Sequence, residues 1–157
     1  MKNLKSLSLI ALSALFMFCM TACEQADTVP PTIVVVSPEE DAAIKAGEEL
    51  CVKVTFTDNK ALSAYKINIH PNFNGHSHAP MRSLASSTLA TEQTVDFEVT
   101  LTSASQNDPL TGTNCFRDID IDIPDNATPG NYHLLIYCTD AAGNEMYVAQ
   151  DLTITQP

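Results

Sequence analysis

From Thr32 onward, apolar and polar residues alternate with a period of two in one short segment after another. Leu50, Val52, Val54 and Phe56 interleave with Cys51, Lys53, Thr55 and Thr57. Successive side chains of a strand point to opposite faces, so this is a strand with one face buried. Tyr65, Ile67 and Ile69 against Lys66, Asn68 and His70 predict another, stopped by Pro71. Val95, Phe97, Val99 and Leu101 predict a fourth, Ile119, Ile121 and Ile123 a fifth ended by Pro124, and Tyr132, Leu134, Ile136 and Cys138 a sixth. The β-branched run 32–36 opens the series and residues 146–155 close it. No stretch keeps a helical period for three turns.

Seven strands separated by Pro, Gly, Asn and Asp predict an all-β fold, an antiparallel β-sandwich. IVVVSP, a second strand running into FTDN, and G-x-Y before a strand that ends in TDAAGN resemble the immunoglobulin-like domains of exported bacterial proteins. On that resemblance the third, sixth and seventh strands share one sheet, and the third and sixth run antiparallel. The end of the third strand then lies beside the start of the sixth. The fourth is expected next to the fifth.

The chain before Thr32 follows different rules. Lys2 and Lys5 precede an apolar run from Leu7 to Met20, the layout of a secretory signal peptide. The run would make a helix of about 21 Å, short of a ~30 Å hydrocarbon core, so a spanning anchor is not expected. Thr21, Ala22 and Cys23 resemble the lipobox of bacterial lipoproteins, with Met20 where Leu is usual. The organisation expected is a signal peptide over 1–22, a lipidated tether over 23–31 starting at Cys23, and the domain over 32–157. Several acyl chains on one Cys anchor stably where a single chain does not. Glu24 and Asp27 resemble the short acidic signal that sends some Bacteroidetes lipoproteins to the cell surface. The location implied is the cell envelope, at the outer membrane, periplasmic or surface-exposed.

Charge narrows the partners. Eight Lys and Arg stand against nineteen Asp and Glu, a net −11, which excludes a nucleic-acid backbone binder. Removing residues 1–22 takes two lysines away and leaves the domain more acidic still. Anionic lipid would repel it, so membrane association is expected through the lipid anchor alone. Asp118, Asp120 and Asp122 on the fifth strand, with Asp96 and Glu98 on its expected neighbour, form an outward acidic stripe read as a solvated face.

Of the five cysteines, Cys19 leaves with the signal and Cys23 takes the lipid. Cys115 and Cys138 share the inward parity and one end of the sandwich, so a bridge between them is the preferred pairing, with two free buried thiols as the alternative. Cys51 faces outward and is the odd thiol.

The histidines carry the sharpest chemistry. His70, His76 and His78 fall in HPNFNGHSH at the end of the third strand, and His133 sits in GNYHLL near the start of the sixth. Parity turns His70 and His133 outward, and the expected strand directions bring them to the same end and face. Imidazole suits zinc or copper, and side chains at i and i+2 of an extended segment point the same way, so His76 and His78 could share an ion. The bland alternative is a histidine-rich turn shaped by Pro71 and Gly75.

HPNFNGHSH together with IPDNATPGNYHLLIYCTDAAGN is similar to a family of Bacteroidetes immunoglobulin-like lipoproteins catalogued as a domain of unknown function, with H-x-NF-x-x-H-x-H and G-x-YH motifs. The resemblance spans roughly Thr32 to Thr155, on His70, Asn72, Phe73, His76, His78, Gly130, Tyr132 and His133. It implies fold and location and leaves the metal to the residues themselves.

Other chemistry is weakly marked. Asp58, Asn59 and residues 140–144 could offer oxygen ligands, but turn chemistry accounts for them, so calcium is not expected. G-x-S-x-G, P-loop and H-E-x-x-H signatures do not occur, and no base accompanies the histidines, so the chain is read as a non-enzyme. The expected function is capture or buffering of zinc or copper at the envelope. The competing reading is a non-catalytic interaction or adhesion module, accessory to an outer-membrane receptor or another envelope protein.

Overall fold

The structure is a computed structural model and describes residues 26–75 and 96–157. Residues 1–22, which the sequence reads as a signal peptide, and Cys23, His76, His78 and Val95 lie outside the described residues.

Eight strands are present in chain order: β1 (Thr32–Ser37), β2 (Ala42–Lys45), β3 (Glu49–Thr57), β4 (Leu62–Pro71), β5 (Val99–Thr102), β6 (Asn114–Asp122), β7 (Gly130–Asp140) and β8 (Glu145–Thr155). They form a three-stranded sheet of order β1-β3-β6 and a five-stranded sheet of order β2-β8-β7-β4-β5. All neighbours are antiparallel except β2 and β8, which run parallel. The chain is therefore a β-sandwich with immunoglobulin-like strand order.

The alternating segments bury the residues that parity assigns to the inside. Val52, Val54 and Phe56 of β3 face Ile67 and Ile69 of β4 and Tyr132, Ile136 and Cys138 of β7, all with no exposed surface. Leu134, Leu152 and Ile154 complete the layer. Burying one such aliphatic or aromatic side chain contributes about 1.5–3 kcal/mol, so these strands hold the two sheets together. Phe56 stacks on Tyr65 across the sheets, ring centroids 5.8 Å apart.

Three expectations need correction. β2 adds an eighth strand, which no pattern announced: in AAIK only Ile44 is buried, and its partner β8 is far along the chain. The fourth predicted strand shrinks to β5 and pairs with β4 rather than β6. Asp96 and Glu98 are thus parted from the acidic residues of β6, which instead face β3, where Lys53 reaches Asp118 at 3.3 Å. The bridge between Cys115 and Cys138 is not formed, and both are free thiols, as is Cys51. Cys115 turns its thiol to donate to the Thr111 carbonyl at 2.9 Å. Cys138 lies in the apolar core, where burial pushes its thiol up to about 12.

Residues 26–31 hold no regular structure yet are seated on the sandwich. Pro31 is fully buried, and Asn144 Nδ2 donates to the Asp27 carbonyl at 3.2 Å. The seat lies at the end where β3 turns into β4 and β7 into β8, called the turn end below. Leu62 pairs with Asp140 there, and Ala141 donates to the Ala61 carbonyl at 2.8 Å.

Candidate functional site

The antiparallel pairing of β4 and β7 sets His70 directly opposite His133, at the end away from those turns. Their rings meet edge to face with centroids 5.6 Å apart. The expected convergence of these two histidines on one end and one outward face is therefore what the register produces. His133 is only 5% exposed although it points away from the core, because β7 is a central strand with β4 and β8 on either side.

Each ring is held by a neighbour. Asn68 donates through Nδ2 to the Val99 carbonyl and to Thr100 Oγ1, at 3.3 and 2.9 Å, which fixes its amide and presents Oδ1 to His70 Nδ1 at 2.5 Å. A carbonyl oxygen only accepts, so His70 carries its proton on Nδ1. In the neutral ring the lone pair then sits on Nε2, the state in which imidazole serves as a metal ligand. His133 Nε2 faces Asp151 Oδ1 at 3.0 Å and the Asn72 amide at 2.7 Å. Asp151 reaches it because β8 places that residue level with His133.

The rest of the motif builds the support. Asn72 donates its backbone N–H to the Asn131 carbonyl at 2.7 Å, extending the pairing of the two strands by one step. Phe73 sets its ring edge-on to Tyr132, centroids 5.4 Å apart. That ring passes so close to Gly130 that a Cβ there would stand 2.7 Å from Phe73 Cε1, and Gly130 holds φ at +148°. Tyr132 is buried and donates its hydroxyl to the Thr128 carbonyl at 2.8 Å, the geometry of the tyrosine corner of immunoglobulin domains. Phe73, Gly130 and Tyr132 thus clamp the end of β4 to the start of β7, and the two histidines ride on that clamp.

Sequence reasoning named His70, Asn72 and His133 but not Asn68 or Asp151. Asn68 was within reach, since it alternates with His70 on the same outward face. Asp151 required the register between β7 and β8, which no local pattern supplies. On the other sheet, Cys51, Asp118 and Asp120 bring ligand atoms within 4.8 Å of one another. The Cys51 thiol donates to Asp118 at 3.0 Å and this bond lifts it to about 11.

A family model described as a domain of unknown function (DUF4625) matches residues 18–155. The chain belongs to this family. The match runs across both halves of the histidine motif and all eight strands of this DUF4625 chain. No curated protein matches it. Among solved structures, a catalytically inactive OgpA from Akkermansia muciniphila in complex with an O-glycopeptide is similar at 14% identity and a TM-score of 0.47, over 85% of this chain and 32% of that one. A β-glucosidase from Listeria innocua in complex with isofagomine is similar at 8% identity and a TM-score of 0.42, over 80% of this chain and 16% of that one. This chain therefore spans a third or less of the length of those proteins.

Proposed function

We propose that the protein is a lipid-anchored envelope lipoprotein of the kind found in Bacteroidetes, which captures or buffers zinc or copper through His70, His76, His78 and His133. The observation that carries the reading is the cross-strand pair of His70 and His133, with their rings 5.6 Å apart. His76 and His78 follow β4 closely enough in sequence to supply further nitrogens to the same end of the sandwich. Imidazole-rich shells favour zinc and copper over hard cations. The protein binds without turnover, Cys23 carries the anchor, and metal is released to a transporter.

Calorimetric titration with zinc and with copper, on protein made without a histidine tag, tests this. The wild type binds one ion, and His70→Ala or the double change His76→Ala with His78→Ala weakens binding at least about tenfold, as loss of a ligand should. Equal affinity in wild type and both variants overturns the reading. His133 is buried, so its variant is not used.

An interaction module is the second reading, and one observation favours it. On the outer face of the three-stranded sheet, Val34 and Phe116 flank Thr55 in one row, and each is more than half exposed. Val36, two residues further along β1, is 59% exposed. Exposed apolar groups gathered on one face suit a protein partner better than an ion. Failure of the metal titration together with loss of envelope-partner capture on Phe116→Asp would favour this reading.

A further inference from the structure

The three-stranded sheet ends on β6, which has β3 on one side and no strand on the other among the described residues. At nine residues it is longer than the other edge strands, six in β1 and four each in β2 and β5. Along an antiparallel pair, residues that exchange hydrogen bonds with the partner strand alternate with residues whose N–H and C=O point away from it. Asp58 donates to the Thr113 carbonyl at 2.9 Å and Ile123 to the Glu48 carbonyl at 3.0 Å. In the register of β3 with β6, these two bonds put the odd-numbered residues of β6 on the β3 side. Phe116, Asp118, Asp120 and Asp122 therefore turn their backbone groups to the free edge. The Phe116 carbonyl accepts from Arg117 Nη1 there at 2.9 Å, so the open carbonyls begin at Asp118.

The same four residues point their side chains to the outer face of the sheet. Phe116 stands there beside Thr55 and Val34, the exposed apolar row. Lys53 answers Asp118, but no ion pair reaches Asp120, Asp122 or Glu49 among the described residues. Glu49 lies directly opposite Asp122, and like charges so placed are destabilising. An edge with open backbone groups is a template for another strand, and its side chains decide which strand. A second copy of β6 would set aspartate against aspartate, so self-pairing is disfavoured. A strand with Lys or Arg at every second residue would instead set a cation beside each aspartate, with an apolar residue at the end of the series against Phe116. The aspartates repeat every ~6.7 Å, the spacing of alternate side chains on another strand, whereas a helix advances ~5.4 Å per turn.

We propose that the free edge of β6 captures an extended basic segment of another protein, which adds to the sheet as a fourth strand. This rests on the interaction reading of the three-stranded sheet and names the partner of that face. Main-chain hydrogen bonds supply the affinity in strand addition, and alternate side chains supply the choice of partner. Here the choice is made by charge complementarity: three aspartates in one row, on a chain of net charge −11, meet three cations. His70 and His133 lie on the other sheet, so metal and strand occupy separate faces.

The experiment is a titration of the protein at low salt with a synthetic peptide of alternating lysine and threonine, equal in length to β6, followed by NMR and amide hydrogen exchange. In the free protein the amides of Asp118 and Asp120 exchange fast, while those of Arg117 and Ile119 are protected by β3. Bound peptide slows Asp118 and Asp120 by at least about tenfold. Asp120→Asn combined with Asp122→Asn weakens peptide binding about 2- to 30-fold, the loss of two cross-strand ion pairs. Both side chains are exposed, so Tm stays at or above that of the wild type. The same peptide methylated on alternate backbone nitrogens keeps its charge and gives no protection. Asp118 and Asp120 amides already protected in the free protein, equal binding of the methylated peptide or of one with glutamate for lysine, or an unaltered affinity in the double variant overturns the proposal. If it falls in any of these ways while Phe116→Asp still loses an envelope partner, strand addition is overturned and the interaction reading stands; loss of neither overturns both.

Discussion

Replacing Gly130 by Ala tests whether the clamp beneath the histidines is as tight as its geometry requires. Gly130 holds φ at +148°, a conformation L residues rarely adopt, and forcing Ala into it costs about 1–3 kcal/mol. The new Cβ would also stand 2.7 Å from Phe73 Cε1 and 3.1 Å from Cδ1. Phe73 is 45% exposed, so its ring can swing into solvent, giving up an edge-to-face contact with Tyr132 worth about 0.5–1.5 kcal/mol. Together these make a loss of about 2–4 kcal/mol, or a fall in Tm of roughly 6–20 °C for a domain of this size. The assay is thermal and denaturant unfolding of wild type, Gly130→Ala, Phe73→Ala and the double variant. In the Phe73→Ala background the glycine change should cost less, by about the 0.5–1.5 kcal/mol of the lost ring contact. A Gly130→Ala protein within about 0.5 kcal/mol of wild type would refute the backbone argument. An equal cost in both backgrounds would refute the ring contact.

Further outcomes follow from three single groups. Tyr132→Phe removes the hydroxyl that satisfies the Thr128 carbonyl and should cost about 0.5–1.5 kcal/mol in a denaturant titration; no change would mean that carbonyl finds another donor. Asp118→Ala lets the Cys51 thiol fall from about 11 toward 9.0, so alkylation of Cys51 at pH 9, followed by peptide mass spectrometry, should quicken on the order of tens of fold. A thiol raised by folding stabilises the fold while it keeps its proton, so in the wild type that contribution is whole below 9 and fades as pH rises through about 11. Cys138, raised by burial to about 12, should resist the same reagent until the protein unfolds. Cys138→Ser puts a hydroxyl into that apolar layer and should lower stability by about 1–3 kcal/mol. Labelling of native Cys138 at the rate of Cys51 would show that the core opens locally.

What could be read from the chain divides along physical lines. β3, β4 and β7 were plain because each carries its own period of two, and one buried face is enough to write that pattern. Antiparallel directions and parity then placed His70 beside His133, since both facts belong to the strands themselves. β2 and the partner of β5 depended on which strands come together in space. Four residues with one buried side chain, or an edge strand with a choice of two sheets, hold no local record of that choice. The acidic stripe failed for the same reason: Asp96 and Glu98 could be read as outward, but the sheet they belong to could not. The cysteine pairing rested on inward parity at a shared end, and parity cannot say which way a thiol turns, as Cys115 shows by donating to Thr111. Asp151 is the opposite case, a side chain whose partner sits on another stretch of chain.

The seating of residues 26–31 gives the domain a direction. Those residues hold on at the turn end, and β4 runs from Leu62 there to His70, about 26 Å at ~3.3 Å per residue. The described chain therefore enters the sandwich at one pole, and the histidine pair occupies the other. On the proposal that Cys23 carries a lipid anchor, a membrane at the first pole would not crowd the second, and solutes could approach His70 from the open side. On that proposal the sandwich would be a spacer of fixed length, with its reach set by strands rather than by a slack linker.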